Sequence, residues 1–382
     1  MGKRLLLLLP TRTYKAKDYL DAAHVLGAEV VAASEEPGGL VSFDFNDPSK
    51  ALKHGPFDAV IGVDDGSIQA ASRISKTLGL RANPPEAVDA ARNKKVMREL
   101  FLKGGVRVPE FADAGESCPL PFPCVVKATS LSASRGVIRA DTQEQYSQAL
   151  VRIRELLKNE EDNNPIIVES FLAGPEVALD GLLSAGKLRT LALFDKPETP
   201  DGPFFPETML ITPSGLSQET QEAIRLESER AAAALGLIEG PIHAEFRVTP
   251  DGPVILEIAA RTIGGSCSSI LTFGTGVTLE ELVLRNALGL DAALFERERS
   301  AAGICMILPE SDGVISSVDG IEEARLVPGI EQVVFPNRGN RRVSRLPEGG
   351  AYAGFLFAKG KTPEEVVKAL KSARSMITLH YK

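Results

Sequence analysis

The sequence predicts an α/β fold in several lobes, an open parallel sheet first and α+β segments after it. Apolar strands alternate with helices over roughly the first eighty residues, the pattern of a parallel sheet with crossover helices. Strand–turn–strand units then follow one another through the middle of the chain. A length of 382 residues is enough for two or three lobes and a large core.

In chain order, Arg4–Leu9 reads as a buried strand, 16–26 as a helix, 29–33 as a second strand, 57–62 as a third, and the stretch after Asp64-Asp65-Gly66 as a helix through Leu78. The five leucines after Met-Gly-Lys-Arg are too short a run for a signal peptide, Leu6 rules out a myristoylation signal, and no segment is long enough to span a membrane. Ligands of parallel sheets sit at the carboxyl ends of the strands, which draws attention to Pro10–Tyr14 and Asp64–Ser67, either as ligand contacts or as plain helix-entry turns. A single helix is expected from near Ala87 through Arg98, carrying Lys94 on its surface. Over 121–139 an apolar strand ends at Lys127, where a buried ammonium needs a partner. A turn of small residues, 130–136, follows and can approach an anion closely. After an acidic helix over 144–159, a strand from Ile166 reaches a hinge at 169–174 and continues past Glu176 and Asp180. That hinge suits either a purine edge or an ordinary crossing between lobes. Glu207 lies in a Pro-rich loop, and an Ala- and Glu-rich helix covers 218–235. Helix 278–290 comes later, and the tail from about Ser300 reads as a separate small α+β lobe ending in a helix over 363–375.

The centre of the pattern is 241–269, two strands around Thr249-Pro250-Asp251-Gly252. A type I turn with a left-handed Gly252 predicts a three-residue hairpin loop. Its register pairs Thr249 with Pro253, Arg247 with Ile255 and Glu245 with Glu257. Opposed carboxylates about 5 Å apart repel, so one takes up a proton, both reach solvent, or a hard cation bridges them. Arg261 falls on the same face, just before Gly264-Gly265, and two acids, an Arg and a glycine turn together suit metal and phosphate.

Composition narrows the function. Net charge is −8 and aromatic residues are 5% with no Trp, which argues against a nucleic-acid surface. Cys118, Cys124, Cys267 and Cys305 have neither zinc nor framework spacing, so a reducing cytoplasm is expected. No Ser-His-Asp arrangement stands out, and Cys267 is not expected to be a nucleophile.

The order of these features over 93–269 resembles the ATP-grasp superfamily: a Lys opening a central lobe, a Lys-strand with a Ser-rich turn, an acid-bearing hinge, and an acid–acid hairpin ending in Arg and glycines. Pro10–Gly27, Glu257–Arg261 and Glu322–Phe357 look like the L-amino acid ligase branch. The resemblance implies an ATP-grasp fold: an N-terminal open parallel α/β lobe (1–92), a central lid lobe (93–182), a C-terminal α+β core with the metal site (183–298) and a small extra lobe (299–382). It implies that Lys94 and Lys127 contact ATP phosphates and that Ser130–Gly136, with Ser134 and Gly136, closes over them. Glu169 and Leu172 would meet adenine and Glu176 the ribose. Glu245 and Glu257 would hold one or two Mg2+ ions, or Mn2+. Arg261 would be catalytic and, with Gly264 and Gly265, would receive the first substrate's carboxylate. Glu207 is either a partner for the substrate amine or a solvated loop acid. Many ATP-grasp enzymes have Asn two residues beyond the second metal Glu, whereas this chain has Ala259, a change familiar in the L-amino acid ligase branch. The implied activity joins two amino acids through an acyl phosphate, releasing ADP and phosphate. Small-molecule substrates, no nucleic acid, no membrane and an open choice of homo-oligomer complete the expectation. Two rivals stay open: a ligase with another amine or a thiol as acceptor, and a nucleotide-binding protein without turnover.

Overall fold

The computed structural model describes residues 2–10, 13, 15–36, 40–160, 163–292, 295–336 and 341–382. Among them the strands form four sheets. The first is parallel, in the order Val41–Ser42, Glu29–Ser34, Arg4–Leu8, Ala59–Gly62. Leu5 to Leu8 are all buried, as a parallel strand covered on both faces requires. Helices Ala16–Val25 and Asp65–Leu78 follow strands Arg4–Leu8 and Ala59–Gly62. Asp64 caps the second helix, accepting from the backbone N–H groups of Gly66 and Ser67. Of Pro10–Tyr14, positions 11, 12 and 14 lie outside the described residues.

The single helix expected around Lys94 is two, Pro85–Ala91 and Lys94–Lys103. Asn93 breaks them apart: its side chain accepts from the N–H groups of Lys95 and Val96, an N-cap inside what looks like one amphipathic run. Lys94 therefore opens a helix instead of sitting along one.

The small antiparallel sheet runs Phe111–Asp113, Ile166–Ser170, Cys124–Ala128, Val137–Ala140. Helix Gln143–Asn159 covers it with Tyr146, Ala149, Leu150, Ile153 and Leu157. The chain then crosses to an eight-stranded antiparallel sheet ordered Gly252–Ala259, Gly240–Thr249, Glu176–Ser184, Lys187–Lys196, Met209–Thr212, Ala301–Ile307, Gly354–Gly360, Ile330–Val334. The crossing lies between Ser170 and Glu176, so the expected hinge region does separate two sheets. Three strands of the tail continue the large sheet, and Gly313–Asp319, Arg341–Val343 and Thr378–Tyr381 form a further small sheet beside it. Period-two patterning marks a strand but says nothing of which distant strand it pairs with.

Glu245 does face Glu257, although by a different route from the one expected. The loop has two residues, pairing Thr249 with Gly252, Val248 with Pro253, Arg247 with Val254 and Phe246 with Ile255. The extra residue is Leu256, a bulge that restores the register at Glu257. Its carbonyl accepts from Nη2 of the buried Arg98. Phe246, Ile255 and Ile258 are buried on the core side, each contributing about 1.5–3 kcal/mol. The other side carries His243, Glu245, Glu257 and Ala259.

Candidate active site

A cavity of about 1770 Å3 opens over that side of the sheet. It exceeds the usual volume for one small ligand and is large enough for a nucleotide with further substrates. Lys94, Lys127, Ser134, Glu169, Leu172, Glu176, Glu207, Glu245, Glu257, Arg261, Gly264 and Gly265 all line it. Gly136, expected beside them, does not: its N–H donates to the Pro347 carbonyl at 3.1 Å, which ties the end of the Ser-rich turn to the tail.

The charges interlock. Lys94 Nζ donates to the Leu131 carbonyl at 2.7 Å and lies 3.4 Å from Glu257 Oε2, joining the Ser-rich turn to the hairpin. Lys127 Nζ sits 2.6 Å from Glu169 Oε2, and Arg98 Nε is 2.8 Å from Glu169 Oε1. Burial pushes the Glu169 carboxyl up, but these two cations outweigh it and hold the group below its ordinary range. Its side chain is thus engaged by two cations, and Ser170, Phe171 and Leu172 beyond it also line the cavity. Glu176 pairs with Arg247 at 3.1 Å and with Lys196 at 2.6 Å.

Lys196 was not among the residues singled out. Its ammonium is buried among Glu176, Glu207 at 2.7 Å and Glu245 at 3.4 Å. Burial pulls it down, yet the three carboxylates carry it well above the usual lysine value. Glu207 thus stands on the cavity wall, partly exposed, with Lys196 as its partner. His243 is a second omission. Its Nδ1 lies 2.7 Å from Asp180 Oδ1 and its Nε2 3.3 Å from Glu245 Oε1. Burial lowers its pKa, but the two acids raise it to about 9, so the ring is a cation at neutral pH. It stands opposite Ala259, whose methyl group offers no ligand. Asp65, within the stretch 64–67 that the sequence marked, accepts from Arg261 Nε at 2.6 Å and pairs with Arg92 at 3.1 Å. The turn 64–67 is thus both helix entry and part of the site.

Arg261 leads into a tight turn in which Gly265 has φ +61° and Ser266 φ +59°. Cys267 beyond it is buried, which pushes its thiol well up and leaves it a poor nucleophile.

Glu257 is likewise held low by its neighbours. Burial raises its carboxyl, but Lys94, Lys127, Arg261 and His243 together bring it down to about 2. No three His, Cys, Asp or Glu side chains cluster as a self-sufficient metal cage among the described residues. The paired carboxylates are hard oxygen donors in register, and their nearest ammonium groups stand 3.4 Å off, beyond the 2.6–2.7 Å of the tight pairs. That donor set fits Mg2+, which is held by one or two carboxylates and completes its shell with phosphate and water.

Residues 120–270 match the ATP-grasp domain family, and residues 305–382 match the L-amino acid ligase C-terminal domain 2. The chain is an ATP-grasp ligase of the L-amino acid ligase type. The crystal structure of an L-amino acid ligase from Bacillus licheniformis superposes on this ligase with a TM-score of 0.83 at 26% identity, covering 100% of this chain and 99% of that one. Alanine–anticapsin ligase of Bacillus subtilis is 25% identical over 367 residues, 84% of this chain and 77% of that protein. A protein of Sinorhizobium fredii described as uncharacterized is 24% identical over 364 residues, 87% of this chain and 73% of its own. Enzymes of this type form C–N bonds, and ATP-grasp enzymes in general use ATP with Mg2+. No helix among the described residues is long and apolar enough to cross a membrane.

Proposed function

We propose that this ligase joins the carboxylate of one amino acid to the amine of a second, through an acyl phosphate, with release of ADP and phosphate. One observation carries the reading: Glu245 and Glu257 face each other in register beneath a cavity that also holds Lys94, Lys127 and Arg261. Phosphoryl transfer asks a protein mainly for positioning and charge neutralisation, and this wall is built of fixed charges with no activated nucleophile.

In the proposed sequence the nucleotide lies between the two sheets, its base against the Leu172 backbone. Glu176 and the wall behind it take the ribose, and Lys94 and Lys127 the phosphates. The turn 130–136, its end fixed by Gly136, closes over them. Glu245 and Glu257 would hold Mg2+, which when bound neutralises phosphate charge. Arg261, oriented by Asp65, and the 264–266 turn receive the first carboxylate. A carboxylate oxygen attacks the γ-phosphorus, its bond to the ADP oxygen breaks, and ADP leaves. The amine nitrogen then attacks the acyl carbon, phosphate leaves with the C–O bonding pair, and the nitrogen gives up its proton. Fixed cations around the developing charge need no reorganisation during these steps.

The similarity to alanine–anticapsin ligase and to an L-amino acid ligase supports amino acids as both substrates. The test is a screen of amino acid pairs with ATP and Mg2+, read by mass spectrometry for new amides and by coupled assay for ADP. An amide formed with one ADP per bond is expected. Amides formed only with non-amino-acid amines, or thioesters formed with thiols, would move the chain to a different acceptor class. ATP binding without ADP release for any pair would contradict turnover altogether.

A further inference from the structure

The tail contributes a wall of the cavity that the chemistry above does not use. Val334 and Gln332 pair across strands with Phe355 and Phe357, so these four share one face, and all four line the cavity. Tyr352 packs edge-on to Phe355 at 5.7 Å between ring centroids. Arg341, at the start of strand Arg341–Val343, lines the same cavity. Its Nη1 is shut off from solvent and has no hydrogen-bond partner among the described residues. Lys94, Lys127, Lys196, Arg247 and Arg261 each stand beside a carboxylate. Arg341 has none among the described residues. A guanidinium N–H buried without an acceptor is costly, and its fork matches a carboxylate.

We propose that Arg341 anchors the free carboxylate of the amine-bearing substrate, so that the acceptor is an amino acid or short peptide with an open carboxyl end and not a simple amine. This rests on the ligase reading and deepens it. The position argues for the acceptor over the other substrates. Tyr352 lies about 3.6 Å from where a side chain on Gly265 would begin, so the tail wall abuts the acyl turn. The tail also touches the Ser-rich turn, where Pro347 accepts from Gly136, so the KM for ATP is read beside the KM for the acceptor. The four-residue face of Gln332, Val334, Phe355 and Phe357 then meets the acceptor's side chain and favours an apolar one.

The test compares wild type, Arg341→Met and Arg341→Lys with Mg2+, ATP and an accepted donor. Hydroxylamine, a small uncharged nucleophile with no carboxylate, traps the activated donor as a hydroxamate and reads the first half-reaction without the acceptor subsite. Loss of a charge-assisted carboxylate contact predicts a rise in KM for the acceptor amino acid of roughly 10- to 100-fold in Arg341→Met. The lysine variant should fall between, because it keeps the charge without the fork. Wild type should prefer the free acceptor to its methyl ester by a similar factor, and Arg341→Met should not. Hydroxamate formation and the KM values for donor and ATP should persist in both variants, which also shows that they fold. An unchanged acceptor KM, a rise confined to donor or ATP, or equal use of acid and ester by wild type would each overturn the assignment. No hydroxamate from wild type with any donor would overturn the ligase reading and this subsite with it, whereas hydroxamate with an unchanged acceptor KM overturns the subsite alone.

Discussion

Arg98→Met removes a fully buried guanidinium that ties three parts of the site together. Arg98 sits at 0% exposure on helix Lys94–Lys103, pairs with Glu169 at 2.8 Å, and donates to the Leu256 carbonyl beside the metal hairpin. Its loss leaves Glu169 with Lys127 alone, and breaking a buried pair costs about 3–5 kcal/mol. The retained lysine argues for the lower end. The Leu256 carbonyl also loses its donor, adding about 1–3 kcal/mol. A total near 4 kcal/mol corresponds to a fall in Tm of roughly 5–15 °C. Thermal unfolding at neutral pH, followed by circular dichroism, reads it. The pH dependence has a definite sign. Glu169's folded pKa is depressed, so its pairing stabilises above the unfolded carboxyl pKa of about 4.3 and is lost as pH falls through the lower folded value. The gap between wild type and variant should accordingly narrow below pH 4. A loss under about 1 kcal/mol at pH 7, or a gap that widens in acid, would refute the account of this triad.

Lys196→Met should strip the cation from Glu176, Glu207 and Glu245 and reduce turnover by about 100- to 1000-fold, with a stability loss of about 3–5 kcal/mol in the same thermal assay. Glu207→Gln, which leaves Lys196 two of its partners, should be milder on both counts. Gly174→Ala should destabilise by about 2 kcal/mol or more in denaturant titration: Gly174 has φ +129°, and a Cβ there would sit 2.2 Å from the Val248 carbonyl oxygen.

The parts of this molecule legible in its sequence are those whose signals are local. The leucine strand, the Ser-rich turn after Lys127 and the opposed Glu245 and Glu257 all follow from residues within a turn or a hairpin of one another. The hairpin shows the limit, since the extra residue sits at Leu256, where its carbonyl meets Arg98 from 158 positions away, and no turn rule contains that contact. Asn93 interrupts a helix that periodicity alone runs straight through. Lys196 carried the same signal that marked Lys127, a lysine closing the buried run LALFDK, yet its three acid partners come from 176, 207 and 245 and meet only in the fold. For Asp65 the sequence leaves helix entry and ligand contact open, and its pairing with Arg261, 196 residues later, comes only with the fold. The tail's membership of the large sheet was equally hidden, because strand pairing between 209–212 and 301–307 leaves no mark on either stretch.

The central claim is that Glu245 and Glu257 act as a pair on the metal–phosphate chemistry. The direct measurement is amino-acid-dependent phosphate release at saturating ATP and Mg2+ for Glu257→Gln against wild type, with ATP binding followed in parallel by calorimetry. The account predicts a loss of about 100- to 1000-fold in turnover in a variant that stays folded and still binds nucleotide. Equal turnover in the two proteins would contradict it.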